Sequence, residues 1–231
     1  MSEVVLLLGF VDAKATQPSE AAPHRRLSFG DTLDAIVIDV PRDAPEAREV
    51  QAMDLALAQI SILSAYAAEH DVLPVALGAA FSGDDALLDH LTTIAPRIQT
   101  QRAALVGRSE WIVAIDSLSS GAAVPKAEAP GYLRRRQAEI RARHDMEAAR
   151  GEYLSSVVRA FGTAQVRLGR PQSRSHATLA TIAALVHRAA AETARAKLEE
   201  LAPEGERLGL ALRLIGPCAP FSFTLAEEAD G

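Results

Sequence analysis

The apolar residues of this chain change period repeatedly along its length, and that alternation confines it to folds in which sheets and helices pack on one another. Residues 3–11 (EVVLLLGFV) form a Val- and Leu-rich run bounded by Asp12 and a polar, Pro-containing stretch, which predicts a buried strand followed by a loop to about residue 26. Residues 33–40 (LDAIVIDV) alternate and stop at Pro41, the pattern of a second strand with at least one buried face. From Pro45 to His70 the spacing becomes three and four: Val50, Met53, Leu57, Ile60, Ser64 and Ala67 recur, with Leu63 and Tyr66 widening the stripe of a long amphipathic helix. A third strand is expected over residues 72–78, at an edge or a bulge because of Pro74. The next helix starts with Ser82 as N-cap and Asp85 as its capping-box partner; Leu87, Leu88, Leu91, Ile94, Ile98, Leu105 and Val106 give its apolar face, Pro96 a kink and Gly107 its end.

The second half repeats the mixture. A strand over residues 108–116 is followed by a linker rich in Ser, Gly, Ala and Pro over 117–130, then by a helix over 131–161 closed by Gly162. Residues 163–169 alternate as a strand, residues 189–202 read as a helix stopped by Pro203, and residues 208–217 alternate as a final strand. Residues 177–188 (ATLATIAALVHR) are ambiguous, because their Ala content suits a helix while Thr178, Thr181, Ile182 and Val186 suit a strand. If they form a strand, the second half reads βαββαβ, the ferredoxin-like split motif. The fold class is then α+β, with an N-terminal α+β domain over residues 1–107 and a ferredoxin-like domain with an extended tail over 108–231.

Composition removes several functions. With 48% apolar and 23% charged residues, the chain carries enough apolar surface to form a core. The net charge of −6 repels phosphate backbones, and six Phe, three Tyr and one Trp leave little for base stacking, so nucleic acid is not an expected partner. The N-terminal apolar run follows Glu3 and lacks a cleavage signal, and no apolar stretch approaches the length of a membrane span; the protein is not expected to be membrane-embedded. A single Cys218 forms no intramolecular disulfide and suits a reducing, cytoplasmic setting.

Catalytic and cofactor devices are equally sparse. Gly78, Gly83, Gly107 and Gly121 do not form a phosphate loop, no Ser sits in a nucleophile elbow, and Cys218, between Pro217 and Ala219, has no basic neighbour to activate it. His24, His70, His90, His144, His176 and His187 are scattered without metal-ligand spacing, and Asp84 with Asp85 suit a helix start better than acid and base work. Neither a cofactor nor a metal is expected, and the protein reads as non-enzymatic.

Two segments stand out as binding candidates. Arg134, Arg135 and Arg136, with Arg141, Arg143 and Arg150 against Glu139, Asp145 and Glu147, leave residues 131–150 at net +3. Such a face is able to hold an acidic partner through guanidinium forks, while the plainer reading is a solvated helix face with internal pairs such as Arg135 to Glu139. The C-terminal GPCAPFSF (216–223) places Pro220, Phe221 and Phe223 in a stiff, apolar tail, which either staples onto its own sheet or is offered to a partner. Trp111, in the middle of a strand, suits the core better than an interface.

Four segments in this order resemble the gas vesicle accessory proteins of the GvpL/GvpF family: LPVALGAAFSGDDALLDHL (73–91), SEWIVAID (109–116), GYLRRRQAEIRAR (131–143) and GPCAPFSF (216–223). Their family counterparts are LPVRFGTVF before an acidic helix start, an EWGVKVY strand, a Tyr-Leu then basic helix, and a GPWPPYSF ending. Cys218, Ala219 and Phe221 replace the family's usual Trp, Pro and Tyr, and Ala76 and Ala79 replace Arg and Thr. ALVHR (184–188) falls where the family has a strand, and on that ground residues 177–188 are assigned as strand. The resemblance implies an N-terminal α+β domain followed by a modified ferredoxin-like domain. It further implies an accessory or structural role in gas vesicle assembly, with the small hydrophobic GvpA-like shell protein and other gas vesicle accessory proteins as partners. The location implied is the gas vesicle, including the gas-facing surface of its wall, and the cytoplasm. The alternative is a small-ligand-binding regulatory protein, by analogy with other ferredoxin-like units.

Overall fold

The computed structural model describes residues 3–19, 21–41, 48–118, 132–162, 164–169 and 178–224. The chain is of the α+β class and divides into two compact units, residues 1–111 with 216–231, and residues 112–215. The tail therefore groups with the N-terminal sheet, whereas the sequence reading placed it in a domain of residues 108–231. The linker expected over 117–130 lies almost wholly outside the described residues.

The first unit contains β1 (Glu3–Asp12), β2 (Arg25–Phe29), β3 (Leu33–Pro41), β4 (Val72–Pro74) and β5 (Ala80–Phe81), with helices α1 (Arg48–Ala67) and α2 (Asp84–Leu105). The strands run in the order β2-β3-β1-β4, with β5 also pairing β1 and every pairing antiparallel. The unbroken apolar run of β1 suits this central place, because such a strand is covered on both faces, and Val5 to Val11 are buried wherever a side chain exists. Gly9 is required there. A Cβ at this position would lie 2.7 Å from the Leu73 carbonyl oxygen and 3.0 Å from Leu63 Cδ1, and the β1–β3 register shifts between Leu7 and Gly9.

Several local expectations are corrected. Strand β2 begins at the end of the expected loop and fills a stretch left unassigned, since its charged residues hide a strand pattern that an edge position tolerates. Arg25 there reaches Asp39 at 2.6 Å and Asp84 at 3.1 Å; the two hydrogen-bonded carboxylates raise the Arg25 pKa, and Arg25 holds Asp39 below the usual carboxylate range. This engagement of Asp84 accompanies a helix start capped by Gly83 in extended backbone, with no side-chain cap bond, so Ser82 is not the N-cap. Leu87, Leu91, Ile98 and Leu105 of α2 are buried as expected, while Val106 is exposed.

The largest correction concerns α1. Part of its expected stripe faces outward: Met53, Leu57 and Ile60 are 63%, 60% and 48% exposed. Leu63, Tyr66 and Ala67 of the same stripe are buried as expected, together with Gln59 and Ile62, which the stripe did not include. Gln59 Nε2 donates to the carbonyls of Leu8 (2.8 Å) and Val75 (2.9 Å), which fixes the rotation of the helix against β1. A buried polar group held by two such bonds costs little, whereas turning it outward would leave both carbonyls without that donor.

The second unit takes in most of β6 (Arg108–Ser117) and β9 (Leu210–Cys218), with α3 (Tyr132–Ala160), β7 (Gln165–Gly169), β8 (Thr178–His187) and α4 (Arg188–Arg207) between them. Strand order is β7-β8-β6-β9, and the elements run in the βαββαβ order of a split βαβ unit. Residues 178–187, undecided by periodicity, are strand. Pro203 does not stop α4, which continues to Arg207. The terminal turn is held from outside, by Tyr153 Oη donating to the Leu201 carbonyl (3.2 Å) and by Arg150 donating from Nε (3.0 Å) and Nη2 (2.9 Å) to that of Leu208. Such tertiary bonds offset the backbone donor that proline lacks.

Candidate interaction surfaces

The GPCAPFSF tail begins in β9 and ends in a 3-10 turn over Phe221–Phe223. Ala219 belongs to the core cluster of Leu8, Val11, Ile36, Ile62, Leu63 and Tyr66, and Phe221 packs against that cluster partly buried. Pro220 and Phe223 are buried as well. Glu110, only 1% exposed, accepts hydrogen bonds from the Ser222 amide (2.8 Å) and hydroxyl (2.6 Å), so a buried carboxylate clasps the turn. At Gly216 a Cβ would sit 2.9 Å from Trp111 Cδ2, which is why the strand approaches the indole through a glycine. Trp111 is buried, its indole nitrogen without a hydrogen-bond partner among the described residues.

These contacts make Pro220, Phe221 and Phe223 parts of the first unit's core, the staple of the two arrangements the sequence allowed. Cys218 is half-buried beside them. Burial pushes its thiol pKa up and the negative Glu110 adds to the rise, so at neutral pH it is the protonated, weakly reactive form. Two histidines pin nearby loops: His24 Nδ1 donates to the Ala22 carbonyl (2.7 Å), leaving Nε2 to accept from Tyr66 Oη (2.8 Å), and His70 Nε2 accepts from the Thr16 amide (3.2 Å). Among the described residues no three His, Cys, Asp or Glu side chains are placed to hold a metal ion.

Arg134, Arg135 and Arg136 lie in the first turns of α3 and are exposed. Among the described residues, only Arg136 of the three is ion-paired, to Glu139 at 3.4 Å, rather than the expected pair from Arg135. The arginines belong to the second unit and the tail to the first.

The surface missed in the sequence is the outer face of α1. Met53, Leu57 and Ile60 follow one another at helical spacing and are joined on the exposed side by Ser61, Ala65 and Ala68. The signal was present: from Ala52 to Ala68 the only charged residue is Asp54. A helix apolar all round is normally enclosed, and one left with an open apolar face marks an interaction surface. A second apolar feature lies in the other unit. Leu154 and Val158 of α3, Leu168 of β7 and Ala180 and Ile182 of β8 line a groove of about 320 Å³.

The chain is a two-sheet α+β protein with an exposed apolar surface on α1. The family is shown by sequence. The model of the family described as gas vesicle synthesis protein GvpL/GvpF matches residues 9–224, and the chain belongs to that family. Two solved structures share its fold. Gas vesicle protein GvpF from Anabaena sp. PCC7120 is 13% identical with a TM-score of 0.68, each chain being covered over 98% of its length. GvpF from Microcystis aeruginosa is 13% identical with a TM-score of 0.57, over 98% of this chain and 100% of that one. A search of curated protein sequences gives no match. Among the described residues no helix is long and apolar enough to cross a membrane.

Proposed function

We infer that this protein is a non-enzymatic accessory factor of gas vesicle assembly that binds the hydrophobic shell protein through the outer face of α1. The observation that carries the reading is the open stripe of Met53, Leu57 and Ile60 in a helix with one charge between Ala52 and Ala68. Each of these side chains contributes about 1 to 2 kcal/mol when a partner covers its exposed part. A shell subunit that is itself apolar complements such a face, and other gas vesicle accessory proteins are the further partners. Its place is the gas vesicle, including the gas-facing surface of the wall, or the cytoplasm before assembly. This revises the docking role first given to Pro220, Phe221 and Phe223, whose side chains are engaged by their own core.

Co-purification of the shell protein with the full chain tests the reading. Contact through apolar surface persists in about 1 M salt, where exposed ion pairs are screened within about 3 Å. Leu57→Glu with Ile60→Glu abolishes the complex while the variant stays folded. Retention of the shell protein by that variant overturns the assignment. The alternative, a small-ligand-binding regulatory protein, is favoured by one observation, the apolar groove beside Leu168. A solvatochromic apolar dye that binds the native chain, and not Val158→Trp, would support it.

A further inference from the structure

The first half of α3 has an unusual environment. Every residue from Arg134 to Ala148 is exposed, so about 22 Å of helix runs with no side of it packed, before Tyr153, Val157 and Ala160 become buried. A polar helix of this length is marginal by itself and draws its order from the packed half and from pairs along its own surface. Among the described residues two such pairs occur, Arg136 with Glu139 at 3.4 Å and Arg143 with Glu147 at 3.6 Å. Arg134, Arg135 and Arg141 have no ion-pair partner among the described residues, Asp145 one turn after Arg141 included. The first turn contains no acidic residue, so Arg134 and its neighbours also sit near the positive end of the helix dipole, where cations are disfavoured.

We propose that the exposed half of α3 is a docking face for an acidic protein helix, whose carboxylates are held by Arg134, Arg135 and Arg141. Charge complementarity selects the partner: it must bring negative charge to the unpaired arginines and to the helix start. Carboxylates match guanidinium forks bidentately, and a helix presenting them at three- and four-residue spacing matches the seven-residue separation of Arg134 and Arg141. Ile140, 46% exposed, gives the face an apolar contact beside Arg141. Nucleic acid is the poorer fit, because no Phe, Tyr or Trp lies between Arg134 and Ala148 and the chain is net −6. This face is independent of the α1 surface.

The test uses the full chain and a labelled synthetic peptide, with Glu at three- and four-residue spacing on an alanine background, followed by fluorescence anisotropy. Binding is expected to weaken at least tenfold in Arg134→Glu with Arg141→Glu, and to fall by a similar factor as salt rises from about 0.05 M to about 0.5 M. A matching Lys peptide should bind the double variant and not the native chain. Both substituted positions are exposed, and an unchanged thermal melt shows that the fold is kept. Leu57→Glu should leave peptide binding unaltered. Equal peptide affinity for native and double variant overturns the proposal. So does an RNA oligonucleotide, or a phosphatidylglycerol vesicle, that binds the native chain as tightly as the peptide and loses affinity equally in the double variant.

Discussion

Helices α1 and α3 fail in opposite ways to announce which side faces the protein. In α1 both faces are apolar from Ala52 to Ala68, and the helix is held with Gln59, Leu63 and Tyr66 inward and Met53, Leu57 and Ile60 outward. In the first half of α3 both faces are polar, and nothing from Arg134 to Ala148 is covered. A periodic pattern identifies a buried face only when the other face differs from it. One helix therefore offers an exposed apolar surface and the other an exposed charged one.

That comparison has measurable consequences. The largest is the contrast within α1: Leu63→Ala, at a fully buried position, should destabilise the fold by about 3 kcal/mol in denaturant unfolding, while Leu57→Ala on the outer face stays within about 0.5 kcal/mol. Equal effects would mean that the outer face is structural. Gln59→Ala should cost about 2 kcal/mol, since it deprives the Leu8 and Val75 carbonyls of their shared donor; Gln59→Glu should be worse, because a carboxylate facing two carbonyls cannot donate when ionised.

In α3, hydrogen exchange should separate the halves, with amides of residues 138–148 exchanging at least tenfold faster than those of 153–160, where Tyr153 and Val157 are buried. Uniform protection would sink the idea of an unsupported half. The smallest effect concerns Cys218, whose replacement by Ser should leave unfolding within about 1 kcal/mol and shell-protein retention unchanged. Its thiol pKa is raised in the folded state, so the folded chain holds the proton more tightly than the unfolded one. The associated stability is complete below the ordinary thiol range and is lost as pH rises through the raised value. Alkylation of the native protein should accordingly stay slow at pH 8 and quicken when the chain is unfolded.

Much of the architecture was legible in the sequence because it depends on local period. The buried run of β1, the strand at β3 and the breaks at Gly107 and Gly162 each follow from residues close in sequence, though Leu33 to Val37 of β3 are buried on both faces rather than in alternation; Gly107 and Gly162 adopt the positive φ of 70° and 63° that suits glycine. Strand β2 escaped because Arg25 and Arg26 satisfy their charges on Asp39, Asp84 and Asp34, partners no local window reveals. Pro203 misled for a related reason: the bonds that carry α4 past it come from Tyr153 and Arg150, about fifty residues away.

The sequence by itself determined the α+β class, the order of nearly all the elements and the family, since these rest on periodicity, turn residues and ordered motifs. The tertiary structure alone decided the rotation of α1 and the fate of the tail. Both are marked by buried polar contacts made at long range, Gln59 with the Leu8 and Val75 carbonyls and Glu110 with Ser222. An apolar pattern states that a segment is to be buried; which of two apolar surfaces is covered is settled by where the few buried hydrogen-bonding groups find their partners.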